Sequence, residues 1–268
     1  MVLALAARPA ALTAQAVPCV LDEVQKLIPF DATVDHRVGS SVSISGDRFI
    51  TGAWGAGAAY VFRRSGSLWV QEAKLTGAGG LFGWSVAISG DRAVVGARFD
   101  NAAATEAGAA YLFRRDDNGT PLVDDDDFWV PEATLTAFDA ADDDQLGGAV
   151  AIDGDRVIAG AQFQDATGDS AGAAYVFRKN DNDVWVEEAK LIGSDTIASD
   201  NFGTSVSISG DRAVVGAWHH NAAGNRSGAA YVFRRDDNGT PSIPTDDFWI
   251  EEDKLVPGDA ATFDQFGV

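Results

Sequence analysis

SVSISGDR, at residues 41–48, occurs four times in this sequence with few changes. It returns as SVAISGDR at residues 85–92, AVAIDGDR at residues 149–156 and SVSISGDR at residues 205–212. Each copy alternates apolar and small residues, which is the pattern of a β-strand with one buried face. The Gly-Asp pair that follows suits a type II′ hairpin turn. This internal repetition decides the fold before any single motif is considered.

The remainder of each repeat also keeps a constant order. An apolar segment ends in Gly-Ala, GAAYVF or GAAYLF follows, and a tryptophan begins the last segment. We therefore predict four antiparallel strands per repeat, the fourth being an edge strand with outward charges. Tandem units of this kind predict an all-β fold, a β-propeller of four-stranded antiparallel blades. The glycines that open the copies are Gly39, Gly83, Gly147, Gly203 and Gly267.

Two dipeptides link the repeat to a known family. Phe-Gly opens several copies, at Phe82-Gly83, Phe202-Gly203 and Phe266-Gly267, and Gly-Ala closes each second strand. This order resembles the FG-GAP repeat of integrin α-subunit heads and of many bacterial surface proteins, over about residues 20–268. The motif's last proline is absent, and its place is taken by Trp54, Arg98, Gln162 and Trp218. Leu146 and Val38 replace the phenylalanine in two copies.

The resemblance implies how the whole chain is divided into blades. Complete blades are expected at residues 39–82, 83–146, 147–202 and 203–265, with the start of a further blade at residues 266–268. Residues 20–38 are expected to be the last strand of a preceding blade, over residues 21–28, plus a linker. Integrin-like FG-GAP propellers have seven blades, so the four complete ones indicate a fragment of a seven-bladed propeller. Open blade edges would then favour self-association.

Charge and composition limit the partners. The chain has 40 acidic and 20 basic residues and a formal net charge of −20, which disfavours nucleic acid and anionic membrane surfaces. No apolar stretch approaches the roughly 20 residues of a membrane span. The single Cys19 excludes an intrachain disulfide. Residues 1–16 have an apolar start and small residues at Ala14 and Ala16, which predicts an export signal, shortened at its start, and a secreted or cell-surface protein.

Metal binding is a further expectation to weigh. The resemblance implies calcium sites in the hairpin between first and second strands, but that hairpin is here only a Gly-Asp pair. One carboxylate per turn cannot supply the six or more oxygen ligands of calcium, so these sites do not carry over and no cofactor is expected. Acidic loops elsewhere are either weak divalent-cation sites or merely solvated. Their candidate ligands are Asp116, Asn118, Asp124, Asp126, Asp142 and Asp144.

Ligand-binding candidates come from strand polarity. The loops between second and third strands should share one face with the links between blades. Aromatic and cationic side chains in such loops on a rigid β-scaffold are typical of binding sites. An alternative for Trp54 and Trp218 is that they cover the core. The candidates are Trp54, Arg98, Phe99, Trp218, His219, His220 and Arg226.

The sequence contains no catalytic constellation. Three histidines are present, without a nucleophile-elbow motif or a metal-binding helix. We therefore expect an exported, non-enzymatic binding or adhesion module for a protein or carbohydrate ligand. One alternative is an accessory propeller domain of a larger exported enzyme, such as a lyase or phospholipase. Another is a set of purely architectural repeats in a cell-envelope protein.

Overall fold

A computed structural model describes residues 25–120, 126–239 and 246–268. Each repeat forms one antiparallel four-stranded sheet in which the strands lie in sequence order, so the predicted all-β fold of four-stranded blades is confirmed. The first blade contains β1 (Val42–Ser45), β2 (Arg48–Ala53), β3 (Ala58–Ser65) and β4 (Leu68–Thr76). The second contains β5 (Ser85–Ser89), β6 (Arg92–Ala97), β7 (Ala109–Asp116) and β8 (Phe128–Leu135). The third contains β9 (Ala149–Asp153), β10 (Arg156–Ala161), β11 (Ala173–Lys179) and β12 (Trp185–Leu191). The fourth contains β13 (Phe202–Ser209), β14 (Arg212–Ala217), β15 (Ala229–Asp236) and β16 (Phe248–Leu255).

Local sequence explains the shape of each blade. The glycine of each Gly-Asp turn has a left-handed φ, for example 56° at Gly46 and 55° at Gly90, which is the conformation this hairpin turn requires. The third and fourth strands of every blade shift register at the same place, between Val61 and Phe62 in the first blade. Such a bulge bends the strand pair and increases its twist.

The core lies between successive blades. Ile50, Val61 and Leu75 of the first blade pack against Val86 and Ile88 of the second, and the same pattern repeats at the next two interfaces. The first strands β1, β5, β9 and β13 are the innermost and lie beside one another. The continuously apolar second strands of the second and third blades are therefore buried on both faces, as their sequences predict.

Serines on the inner strands join neighbouring blades. The Oγ atoms of Ser41, Ser43 and Ser45 accept hydrogen bonds from the backbone N–H groups of Val86, Ile88 and Gly90, at 3.0, 3.2 and 3.1 Å. These N–H groups lie on the open edge of β5, where no strand of the same sheet pairs with them. The serines of the alternating pattern therefore supply hydrogen-bond acceptors for N–H groups that would otherwise be unpaired at the strand edge.

The two glycines of the repeat motif meet across each blade interface. A Cβ atom on Gly52 would overlap the carbonyl oxygen of Gly83 in the next blade, and one on Gly96 would overlap that of Gly147. Within a blade, the N–H of Gly83 donates to the carbonyl of Gly96 at 3.1 Å. The Phe-Gly glycine of one repeat and the Gly-Ala glycine of the preceding repeat are thus two sides of one backbone contact.

The segment before the first blade differs from its prediction. Residues 21–24 of the expected strand lie outside the described residues, and residues 25–28 form no strand. Instead, the Gln25 side-chain amide donates to the carbonyl of Trp69 and accepts from its N–H, at 2.9 Å each. These two bonds replace strand pairing at this edge of the first blade. Leu27 packs on the first blade beside Phe49 and Trp69. At the other end, Phe266 forms a bridge with Gly228.

Strand β13 begins at Phe202, one residue before the expected start of its blade. In the parts of the chain described above, no helix has the length and apolarity needed to span a bilayer.

Candidate functional site

One face of the blades collects the loops between second and third strands together with the links between blades; we call it the loop face. The N–H groups of Asp143 and Leu146, in the link after the second blade, donate to the carbonyls of Thr105 and Ala107 in that blade's loop, at 2.9 and 2.8 Å. The third and fourth blades repeat these bonds. The loops of these three blades are therefore fixed to the links beside them, as the strand polarity indicates.

An open cavity of 440 Å³ lies at the loop-face end of the inner strands, and we call it the axial cavity. All four blades contribute equivalent positions to its wall. The residues directly after the opening glycines form one level, and the next residues form a second level. The first level consists of Ser40, Trp84, Gly148 and Thr204, and the second of Ser41, Ser85, Ala149 and Ser205.

Two tryptophans line one side of the axial cavity, and two arginines lie against their rings. Trp54 and Trp84 both line it, with ring centroids 5.5 Å apart. Arg37 lies 4.4 Å from the Trp54 centroid, and Arg98 lies 4.5 Å from that of Trp84 and 5.0 Å from that of Phe99. These distances are typical of cation–π contacts. Trp54, Arg98 and Phe99, three of the sequence candidates, thus belong to one cluster.

The opposite side of the axial cavity has no aromatic ring and combines Val150 and Val206 with smaller residues. Gly148 and Ala149 leave the wall without bulk there, and the Thr204 hydroxyl donates to Oε1 of Gln162 at 3.1 Å. Gln162 occupies the position that Trp54 and Arg98 occupy in the first two blades. The cavity is therefore asymmetric, with two indole rings on one side and small, aliphatic and hydroxyl side chains on the other.

The candidates of the fourth blade form a separate group. The rings of Trp218 and His219 stack with centroids 3.8 Å apart, and Trp218 Nε1 is buried without a hydrogen-bond partner among the described residues. Burial, together with the charge of Arg226, holds the pKa of His219 below its usual value, so this imidazole is neutral at neutral pH. Arg226 is exposed in the same loop.

His220 has a different environment from its neighbour. The side chain is buried, its Nδ1 lies 2.7 Å from Oδ2 of Asp200, and its Nε2 lies 2.7 Å from Nζ of Lys254. Both ring nitrogens therefore have partners inside the fold. The arrangement fastens the loop to the blade and does not present His220 to the loop face.

The third strands carry a recurrent buried tyrosine below this face. Tyr175 donates to Asp139 at 2.7 Å, and Lys190 binds the same carboxylate at 2.7 Å. The fourth blade repeats the arrangement with Tyr231, Asp195 and Lys254. In the second blade, where Thr134 stands in place of the lysine, Tyr111 instead donates to Asp100 at 2.7 Å, and burial raises the pKa of this tyrosine to about 12.

The opposite face, which we call the turn face, is held by ion pairs. The Asp127 side chain is 1% exposed and accepts from Arg48 of the first blade at 3.1 Å and from Arg115 of its own blade. Asp247 pairs in the same way with Arg235 of its own blade and lies 3.9 Å from Arg156 of the third. One carboxylate of each acidic segment before Trp129 and Trp249 is therefore buried beside two arginines.

The acidic metal candidates are used as turn and loop contacts. Asp116 pairs with Arg114 at 3.1 Å, Asp126 accepts from the Thr120 hydroxyl, and Asp144 accepts from the N–H of Ala141 at 2.8 Å. The remaining described candidates behave alike: Asn118 donates its N–H to Asp116 and Asp142 accepts from the N–H of Thr105. Asp124 lies outside the described residues. Among the described residues, no three His, Cys, Asp or Glu side chains are grouped as a metal site would require.

Of the residues that line the axial cavity, the sequence candidates include only Trp54. Trp84, Ser40 and Thr204 stand at one fixed position of the repeat and were not singled out, because single positions in separate copies show no local motif. A usable signal exists, since the neighbouring positions are nearly constant across the copies while this one is serine, tryptophan, glycine or threonine. Variation at a fixed position of a repeat is expected where the position does not support the fold.

Comparison of this chain with known proteins shows which family it belongs to. Among solved structures, the chain is similar to Sqt1 of Saccharomyces cerevisiae, with a TM-score of 0.44 and 10% identity, over 75% of this chain and 46% of the other. It thus spans less than half the length of that protein. No curated protein matches the sequence significantly. The FG-GAP repeat profile matches residues 21–66, 69–113, 129–177 and 185–233. Since these segments make up most of the sequence, the chain belongs to the FG-GAP repeat family.

Proposed function

We propose that the protein is an exported, non-enzymatic binding module that takes a protein or carbohydrate ligand at the axial cavity. The observation that carries this proposal is the pair Trp54 and Trp84 on one wall of a 440 Å³ opening, with small, aliphatic and hydroxyl side chains on the other. A volume of several hundred Å³ suits a small ligand or an anchoring side chain of a larger one. Flat rings supply apolar contact area, and hydroxyl groups fix the orientation of the ligand.

The scaffold suits this role. The axial cavity is built from the ends of four inner strands, whose blades are joined by buried cores and by backbone contacts between glycines. A site on rigid strands loses little conformational entropy when a ligand binds. Extracellular location is part of the proposal, and it is supported by the family, whose repeats are typical of extracellular proteins, and by the small residues Ala14 and Ala16.

A ligand array with matched variants tests this proposal. The wild-type protein is applied to immobilised glycans and extracellular-matrix proteins, followed by Trp84→Ala and by Phe128→Ala. Phe128 is an exposed aromatic residue at the turn-face end of β8, far from the axial cavity. We expect at least one ligand whose signal Trp84→Ala abolishes and Phe128→Ala preserves. Silence across the array, or a signal that survives loss of Trp84, would contradict the proposed site.

We also propose that copies of the chain associate through the outer face of the first blade. Val42 and Ile44 are 67% and 66% exposed there, whereas the equivalent Val86 and Ile88 of the second blade are each 5% exposed under the blade before them. With Leu27, Phe49 and Trp69 they line an open apolar groove of 380 Å³. An apolar sheet face of this kind gains free energy when a second copy covers it.

A further inference from the structure

We propose that Asn118 and Asn238 are sites of spontaneous deamidation, and that in the folded protein the aspartate before each of them, Asp117 or Asp237, slows the reaction. Both asparagines lie in loops of the same sequence, DDNGTP, which join the third and fourth strands of the second and fourth blades. Both are exposed. These loops lie on the turn face, so the axial cavity and its ligand have no part in this reaction.

Asparagine followed by glycine is prone to deamidation for a steric reason. The backbone nitrogen of the glycine attacks Cγ of the asparagine side chain, a succinimide ring closes, and Nδ2 leaves as ammonia with the proton that the glycine nitrogen loses. Water then opens the ring and leaves aspartate or isoaspartate. Glycine has no Cβ atom to hinder its nitrogen, and it adapts to the backbone angles of the ring. Water is the only other reactant, so the chain needs no partner for this step.

The closed turn keeps the reacting atoms of the second blade apart. Asn118 and Gly119 have φ angles of 52° and 74°. The N–H of Thr120 donates to the carbonyl of Asp117 at 2.8 Å. Two positive φ angles with this hydrogen bond define a type I′ turn. In its left-handed first residue, Cβ lies beside the residue's own carbonyl oxygen, so the nitrogen of Gly119 is on the opposite side. Attack on Cγ of Asn118 therefore requires the turn to open.

The aspartate of each loop adds a second protection. Oδ1 of Asp117 accepts the hydrogen bond of the Gly119 N–H at 3.0 Å, and Oδ1 of Asp237 accepts that of Gly239, also at 3.0 Å. The glycine nitrogen must lose this proton before it can attack. A carboxylate is too weak a base to take it, and its negative charge opposes a second one on the nitrogen. Breaking this hydrogen bond is thus part of the barrier to deamidation.

Deamidation changes the loop in which it occurs. The N–H of Asn118 donates to Asp116 at 3.0 Å, and its side-chain amide donates to Asp126 at 3.4 Å. A carboxylate in place of that amide repels Asp126 instead. Isoaspartate also routes the main chain through the side-chain carbon, which lengthens the turn by one atom. Once opened and modified, this turn cannot close again in its original form.

Timed incubation followed by mass spectrometry of proteolytic peptides tests the proposal. In urea-unfolded wild type we expect Asn118 and Asn238 to deamidate at equal rates, each at least about tenfold faster than in the folded protein, because the folded chain reacts only through the opened turn. In folded Asp117→Ala, Asn118 should react at least about threefold faster than in wild type, as the loss of one hydrogen bond implies. Asn238 in the same molecules should keep its wild-type rate, and Asp237→Ala should give the reverse pattern.

The third blade supplies a control within the same chain. Asn182 lies in the equivalent loop but is followed by Asp183, and it should stay unmodified. Deamidation of Asn182 as fast as that of Asn118 would show that the glycine does not select the site. Equal rates at Asn118 in the folded and unfolded protein would overturn the protection by the turn. An unchanged or slower rate in Asp117→Ala, or acceleration of both asparagines in that variant, would overturn the role of the aspartate.

Discussion

Tyr175 carries a hydroxyl group that must find its partner inside the protein, since the residue is fully buried. It donates to Asp139 at 2.7 Å, and Lys190 shares that carboxylate. Asp139 lies in the link between two blades, 36 residues before the tyrosine. One carboxylate therefore joins the link to two strands of the third blade.

Replacing this carboxylate tests its contribution to stability. Asp139→Ala leaves the Tyr175 hydroxyl buried without an acceptor, and we expect a loss of about 2 kcal/mol in the free energy of unfolding. Urea denaturation measures this change. The matched control is Asp181→Ala, which removes the same charge from an exposed loop and should change the free energy by less than about 0.5 kcal/mol. Equal losses in the two variants would show that the contact is unimportant.

The same variant has an expected pH dependence. Burial alone would raise the pKa of Asp139, but the hydrogen bonds from Lys190 and Tyr175 outweigh it and hold the pKa below its ordinary 3.8. A carboxyl with a lowered pKa stabilises the fold fully above the unfolded-state pKa and loses this effect as the pH falls through the folded-state pKa. The difference between wild type and Asp139→Ala should therefore be constant from about pH 5 to 7 and narrow below about pH 3.8. A difference that grows in acid would contradict the assignment.

Residue roles of this kind are hard to read from the sequence. The sequence predicts His220 as a surface ligand residue, yet Asp200 and Lys254 hold it inside the fold. These partners are 20 and 34 residues away in sequence. Arg98 and Trp54 can be found because they replace a motif residue. Trp84 belongs to no motif, and its only signal in the sequence is that its position varies between otherwise nearly constant copies.

At the scale of the strand, there is a clear physical reason for the glycine of each Gly-Ala pair. Gly96 lies on the second strand of its blade, and a side chain there would overlap the carbonyl oxygen of Gly147 in the next blade. Gly90, in the preceding turn, has a left-handed φ of 55°, and a Cβ atom there would meet no other atom within 4 Å. The two glycines of one blade are thus required for different reasons.

Substituting alanine for Gly96 and for Gly90 in turn distinguishes close contact between blades from the requirement for a left-handed φ. Gly96→Ala must push two blades apart, so we expect a loss of about 3 kcal/mol. Gly90→Ala has only the cost of a left-handed alanine, about 1 kcal/mol. Thermal unfolding followed by circular dichroism measures both. A smaller effect at Gly96 than at Gly90 would refute the close contact between blades.

Strands and turns are predictable because each is encoded in a few consecutive residues and repeated four times. Alternation in residues 41–45 predicts β1, and Gly46-Asp47 predicts its turn. The segment before the first blade is not predictable in the same way. Residues 25–28 keep the leucine spacing of a fourth strand, but side-chain bonds from Gln25 replace the pairing there.

At the scale of the molecule, the blades bury one another in sequence, and the outer face of the first blade remains uncovered. Sedimentation velocity over a range of concentrations tests the proposed association. We expect the wild type to sediment faster as concentration rises and Val42→Glu to remain at the 28.1 kDa of one chain. Val184→Glu, at a comparably exposed valine of the third blade, is the control and should behave as wild type. Association that survives Val42→Glu would exclude this face.

The contact between the motif glycines also bears on how such chains lengthen. Its two halves lie in every copy of the repeat, one at the start of the blade and one at the end of its second strand. Tandem duplication of a single unit in the gene therefore supplies a fitting neighbour on both sides without compensating mutations. Repeat number can change during evolution without a change in the interface, and copies are free to diverge at positions such as Ser40 and Trp84, which this contact does not constrain.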